Sequence, residues 1–251
     1  MLDGRRAVCV ESVGGPVANS KGDKVFVEVR RRYGLVLGGE REEDAAKRLG
    51  GDEGDGVVME EVRRLVFMEE RSPTPITTTV TTVSAATKET KPQPGPLKGK
   101  NRGEKRIVHV PGTPDYTFTM RPDAALLFQF SALTYNAHAI HLDADYARNV
   151  EGYSERLVHG PLTQVLMLTA LRQHLQQQQQ ADGIKTMEYR NLSPLFVGRE
   201  LRVCVRELSQ SGEGNEDRKW LLWVEGPDGG LAVKGMATTG NVGQGTRVAK
   251  L

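Results

Sequence analysis

Hydrophobic and polar residues alternate with a period of two in the first quarter of the chain. In Lys24-Val-Phe-Val-Glu-Val-Arg30, Val25, Val27 and Val29 fall on one face, and Phe26, Glu28 and Arg30 on the other. That pattern predicts a strand. Glu61-Val-Arg-Arg-Leu-Val-Phe-Met68 predicts a second strand, and Arg6-Ala-Val-Cys-Val-Glu-Ser12 a weaker one. Residues 38–56 are rich in Gly, Asp and Glu and read as a long solvated insertion, with no convincing amphipathic helix. Three strands with one apolar face need an element to cover them, so 1–70 reads as an incomplete unit.

The pattern then changes twice. Over 71–106 Thr, Ser, Pro and Lys dominate, which predicts a disordered linker, because too little apolar surface is available to offset the entropy of ordering. Residues 107–251 read as the better domain. Ala124 to Tyr135 predicts a short helix started by Pro122 and Asp123. Leu162 to Leu175 predicts a helix buried on most sides, since Leu162, Val165, Leu166, Met167, Leu168 and Leu171 leave little polar face. The glutamine run 176–180 extends or frays its end. Strands follow at Ile184–Arg190, Glu200–Leu208, Lys219–Glu225 and Leu231–Thr239, with turns at Gly212–Asn215 and Pro227–Gly230. A buried helix followed by an antiparallel meander predicts an α+β fold, a curved sheet wrapped around that helix.

Composition narrows the function classes. The net charge is only +2 over 251 residues, and the basic residues are dispersed, so neither nucleic acid nor a membrane surface is implied as a partner. No apolar run approaches a membrane span. Cys9 and Cys204 lie far apart, match no metal or redox spacing, and read as small core residues in a reducing compartment. The start of the chain shows no signal or transit peptide.

The candidate chemistry lies between 130 and 162. Asn136 precedes His141 by five residues, and Gly160-Pro161 follows as a helix start. A histidine moves protons near neutral pH. An amide holds a water or a carbonyl but is no base. The N–H of Gly160, at the positive end of a helix, suits a thioester or carbonyl oxygen, and glycine lets a ligand approach closely. Each residue also has a plainer reading. A lone Asn is usually a turn or cap residue, Gly-Pro is a generic helix start, and His138 and His159 read as packing or surface histidines. His138 and His141 lack a third metal ligand, so no metal site is assigned.

At these residues the sequence resembles the MaoC-like hot-dog hydratases, whose motif is Gly-Asp-x-Asn-Pro-x-His followed by Asp and Ala. Tyr135-Asn-Ala-His-Ala-Ile-His141 aligns without a gap, with Asp143 and Ala147 following. His141 takes the catalytic histidine position and Asn136 that of the catalytic aspartate, while His138 and Ala139 replace Asn-Pro. Phe130–His141, Val150-Glu-Gly-Tyr153 and Val158-His-Gly-Pro-Leu162 look closer to one branch: the mitochondrial hydroxyacyl-thioester dehydratases type 2, notably fungal ones, and the mesaconyl-C4-CoA hydratases. The resemblance is specific over 113–175 and looser to the C-terminus.

The resemblance implies a hot-dog fold with a complete catalytic unit at 107–251 and a partial noncatalytic one at 1–70. Relatives in this branch carry two such units, and the opening strand, central helix and early loops of the first are absent here. The expectation is a truncated or shortened chain, with any mitochondrial presequence lost as well. The implied activity is dehydration of a 3-hydroxyacyl thioester, on acyl carrier protein or coenzyme A, without a cofactor. His141 would be the acid/base, Asn136 would orient water and Gly160 would hold the thioester oxygen. Leu162, Val165 and Leu166 would line the acyl tail. Mitochondrial location follows by the same route, and a homodimer is a further expectation. The alternatives are a mesaconyl-C4-CoA-type hydratase, an inactive remnant, and a thioesterase; the last usually needs a carboxylate that position 136 lacks.

Overall fold

The computed structural model describes residues 4–18, 24–52, 54–68, 112–208 and 217–241. The segment 71–106 and the turn at 212–215 lie outside them. The chain divides into two compact units, with described parts 4–68 and 112–241.

The first unit is an antiparallel sheet of β1 (Ala7–Val13), β2 (Val17–Ala18), β3 (Lys24–Leu35) and β4 (Val57–Met68). The long strand β3 is its spine: β1 and β2 pair with it on one side and β4 runs along the other. One expectation is corrected here. Part of 38–56 folds into helix α1 (Glu42–Gly50). Ala45 and Leu49, four residues apart, are its buried pair, a stripe too narrow for periodicity to reveal. Acidic residues in its first turn and basic ones in its last favour the helix through its dipole. Leu49 lies so close to Gly34 that a Cβ there would come within 2.3 Å of its Cδ2. The guanidinium of Arg48 fastens the loop, donating to Glu40 and to the carbonyls of Leu35 and Asp55 at 2.9–3.0 Å. Val62, Leu65, Val66 and Phe67 of β4 stay exposed.

The second unit is a five-stranded antiparallel sheet in the order β5-β7-β8-β9-β6. Its strands are β5 (Tyr116–Met120), β6 (Gly183–Asn191), β7 (Leu201–Leu208), β8 (Arg218–Glu225) and β9 (Leu231–Gly240). Four helices precede β6: α2 (Ala124–Thr134), α3 (Ala139–Leu142), α4 (Ala144–Asn149) and α5 (Gly160–Gln177). The long α5 lies against β5, β7 and β8, as expected for a helix with little polar face. Met167, Ala170 and Leu171 of the helix share a core with Leu127 and with Val203, Val205, Trp220, Leu222 and Val224 of the central strands. The central strand β8 is buried on both faces. Trp220, Leu222 and Val224 join the α5 core, while Leu221 and Trp223 join Cys204 and Leu231 in a second cluster. Both indole N–H groups are satisfied, Trp220 by Thr239 Oγ1 at 2.9 Å and Trp223 by Glu225 at 2.8 Å. This is the expected α+β arrangement, a curved antiparallel sheet packed on a central helix.

Candidate functional site

The predicted catalytic residues lie in the segments that lead into α5 and at its first residue. Helix α2 begins at Asp123, whose carboxylate accepts from the Leu126 N–H at 2.8 Å. It ends at Tyr135 in the left-handed region (φ 51), which turns the chain sharply into the Asn136 segment. Asn136 N–H donates back to the Ser131 carbonyl at 2.9 Å. Its Oδ1 accepts from the His138 N–H at 3.3 Å, an Asx turn that starts α3. The acceptor end of the amide is thus turned toward backbone. Its Nδ2 is the end without a hydrogen bond among the described residues.

Helix α3 is a single turn, and it delivers His141 as a buried residue, 8% exposed. Leu157 clamps it from both sides. The Leu157 N–H donates to the Ile140 carbonyl at 2.9 Å, and its carbonyl accepts from His141 Nδ1 at 2.8 Å. A carbonyl only accepts, so the proton of the neutral ring is on Nδ1 and the Nε2 lone pair is left for chemistry. Leu157 is itself fixed. It bridges Phe196, and its neighbours exchange backbone hydrogen bonds with 195 and 197. Burial pushes the His141 pKa below its ordinary value of 6.5, the Leu157 carbonyl opposes this, and His138 adds to it. His141 is therefore a neutral imidazole at physiological pH, the form a general base requires.

Gly160 opens α5, with Pro161 in the first turn, where its missing N–H costs nothing. A Cβ on Gly160 would meet the Asn191 Nδ2 at 2.6 Å, so the side chain at the end of β6 lies against this helix start and would have to move for any larger residue. The residue before it, His159, is completely buried and stacks on His141 with ring centroids 3.7 Å apart and 24° between planes. Through that stack the structure brings the acid/base candidate to the segment that carries Gly160. Ser131 of α2 holds the same ring, its Oγ 2.9 Å from His159 Nε2. From sequence His159 reads as a packing or surface residue, Ser131 carries no role of its own within the Phe130–His141 motif, and Asn191 reads only as a chance glycosylation-acceptor match in Asn191-Leu-Ser193. No spacing rule marks them, because their association depends on α2 and β6 meeting at the start of α5.

The expected acyl-tail residues separate by depth. At spacings of three and four, Leu162, Val165 and Leu166 share one side of α5. Leu162 is sealed in the core at 4% exposure, Leu166 is partly buried against it, and Val165 is 48% exposed.

Comparison with known proteins agrees with the sequence reading. Residues 97–197 match the family model described as hydroxyacyl-thioester dehydratase type 2. A mesaconyl-C(4)-CoA hydratase of Chloroflexus aurantiacus is 39% identical over 134 residues, 53% of this chain and 43% of the relative. The mitochondrial hydroxyacyl-thioester dehydratase type 2 of Schizosaccharomyces pombe is 37% identical over 94 residues, 38% of this chain and 31% of the relative. The chain thus spans less than half the length of these curated relatives. Among solved structures, a MaoC-like dehydratase from Phytophthora capsici aligns with TM-score 0.55 and 15% identity, over 94% of this chain and 64% of that one, a likeness of fold. The resemblance to the type 2 dehydratases and the mesaconyl-C4-CoA hydratases is borne out, and the MaoC-like structure agrees with the expected hot-dog fold.

Proposed function

We propose that the chain is a hydro-lyase that adds and removes water reversibly across a 2-enoyl thioester, working in the direction of (3R)-3-hydroxyacyl dehydration. The observation that carries this reading is the state of His141: buried, neutral, with Nδ1–H fixed on the Leu157 carbonyl and Nε2 unengaged. In dehydration Nε2 takes the proton from C2. The electron pair moves through the thioester enolate to form the C2–C3 double bond, and the C3–O bond breaks. The hydroxyl leaves as water with the proton returned from His141, which ends neutral. The Gly160 N–H receives the enolate oxygen, a role worth roughly 2.7–4 kcal/mol in comparable sites. Asn136 offers Nδ2 as a donor to the leaving oxygen, since its Oδ1 is turned to His138. The acyl tail runs along α5, with Leu162 as floor and Leu166 and Val165 as walls.

The catalytic unit in this reading is 107–251, 1–70 is a partial noncatalytic unit and 71–106 joins them. Substrates are thioesters of acyl carrier protein or coenzyme A. The mitochondrial yeast relatives support a place in mitochondrial fatty acid synthesis. Exposed apolar side chains on α2 (Phe128, Leu133) and on β4 support a homodimer. The longer match to the Chloroflexus protein favours a second reading, a mesaconyl-C4-CoA-type hydratase acting on a methyl-branched enoyl-CoA that carries a free carboxylate. The test is a panel of crotonyl-CoA, a medium-chain trans-2-enoyl-CoA and mesaconyl-C4-CoA, with hydration and free-thiol release followed together. Hydration of the straight chains supports the first reading and hydration of mesaconyl-C4-CoA alone the second. Thiol release without hydration means a thioesterase. No turnover from soluble, monodisperse protein means an inactive remnant.

A further inference from the structure

The ring beneath His141 does more than fill space. His159 is fully buried, yet its Nδ1 has no hydrogen-bond partner among the described residues. A leucine or phenylalanine would occupy the same volume without burying an unpaired ring nitrogen, so packing alone does not account for an imidazole here. We propose that His159 is a positioning residue for His141: a neutral ring, anchored by Ser131, that fixes the plane of the acid/base imidazole from below. The inference rests on the assignment of His141 as the acid/base.

The geometry supports it at three points. The stack at 3.7 Å leaves His141 little freedom to tilt, and the Leu157 carbonyl fixes its rotation about Cβ–Cγ. Phe130 lies 5.0 Å from the His159 ring, and Ser131 Oγ takes its Nε2, so His159 is itself held by two consecutive residues of α2. Finally, the two stacked rings are unequal hosts for a proton. A charged His159 would carry an N–H on Nδ1 with no acceptor. A charged His141 keeps Nδ1–H on Leu157 and gains its second N–H at the open Nε2. The proton therefore belongs to His141. The other titratable group facing the pair is His138, at the edge of His141 with ring centroids 6.0 Å apart. Among the described residues no carboxylate forms an ion pair with any of the three histidines, so their order of protonation is set within this cluster.

The test uses the full chain with ¹⁵N-labelled histidine, and the variants Ser131→Ala, Ser131→Thr and His159→Leu. In the unsubstituted protein, His141 is expected as the Nδ1–H tautomer and His159 as a neutral ring that does not titrate between about pH 5 and 8. Ser131→Ala and His159→Leu should mix the His141 tautomers and move its titration midpoint. They should lower kcat on the order of 10- to 100-fold with KM little changed, and Ser131→Thr should restore all three readouts. The proposal is overturned if the His141 tautomer and midpoint are the same in Ser131→Ala as in the parent, or if His159 takes the proton first. Ser131→Ala removes a single oxygen and keeps the test open should His159→Leu fail to fold. The titration does not depend on turnover. An inactive parent with the expected tautomers would therefore sink the hydro-lyase reading, whereas an active parent whose His141 tautomer ignores Ser131→Ala would sink the positioning role alone.

Discussion

At the scale of single residues, burial gives the histidines of the site a measurable signature. The His159 pKa is pushed down from 6.5 to about 4, first by burial and then by the neighbouring His141. Below its ordinary pKa the unfolded chain binds this proton and the folded chain does not. Stability should therefore fall as pH drops from about 6.5 toward 4, and level off beneath that. A gap of that size corresponds to roughly 3 kcal/mol. Trp220 and Trp223 both lie in β8, so tryptophan fluorescence reads the unfolding of this unit. His159→Phe should flatten the acid side of the denaturation midpoint against pH. Parallel curves for parent and variant would place the effect elsewhere. Asn136 makes a weaker claim. Asn136→Ala removes one donor and an Asx turn, so kcat should drop less than it does in His141→Ala, and steady-state kinetics on one enoyl-CoA decides the order.

Among the elements, the start of α5 is the most constrained, because Gly160 admits no side chain without displacing the Asn191 amide. Asn191 is an exposed end of β6 and can swing away, so Gly160→Ala should fold with stability changed by less than about 1 kcal/mol. In the proposed reading the Gly160 N–H holds the thioester oxygen, so a methyl beside it and a displaced Asn191 amide should lower activity far more than stability. Equal losses of stability and activity would contradict that. Elements with strong periodicity were legible in the sequence. The expected helix over 162–175 is the middle of α5, and the four expected strands differ from β6 to β9 by one residue at some ends. The weaker ones were not. The edge strand β5 is five residues long, and α1 buries only Ala45 and Leu49. Helices α3 and α4 are held by turns and by the Asp143 cap rather than by an apolar stripe. The spacing of Asn136, His141 and Gly160 revealed candidate chemistry. The Ser131–His159 pair stayed hidden because it forms only when α2 reaches the loop before α5.

For the whole molecule, exposed apolar surface is the most informative property. Phe128 and Leu133 on α2 of the second unit, and Val62, Leu65, Val66 and Phe67 on β4 of the first, are large apolar side chains exposed to solvent. A homodimer that buries them should sediment at twice 27.6 kDa. Leu133→Glu should shift the distribution toward the single chain. A monodisperse monomer at all concentrations would remove the dimer from the account.

The central claim is that His141 moves the proton in enoyl-thioester hydration. The most direct measurement is the loss of enone absorbance when purified protein meets a trans-2-enoyl-CoA, with His141→Ala measured beside it. General acid–base groups contribute on the order of 10²–10⁴-fold, so the variant should lose activity by about that factor while remaining folded. Hydration that proceeds equally well without His141 would contradict the account.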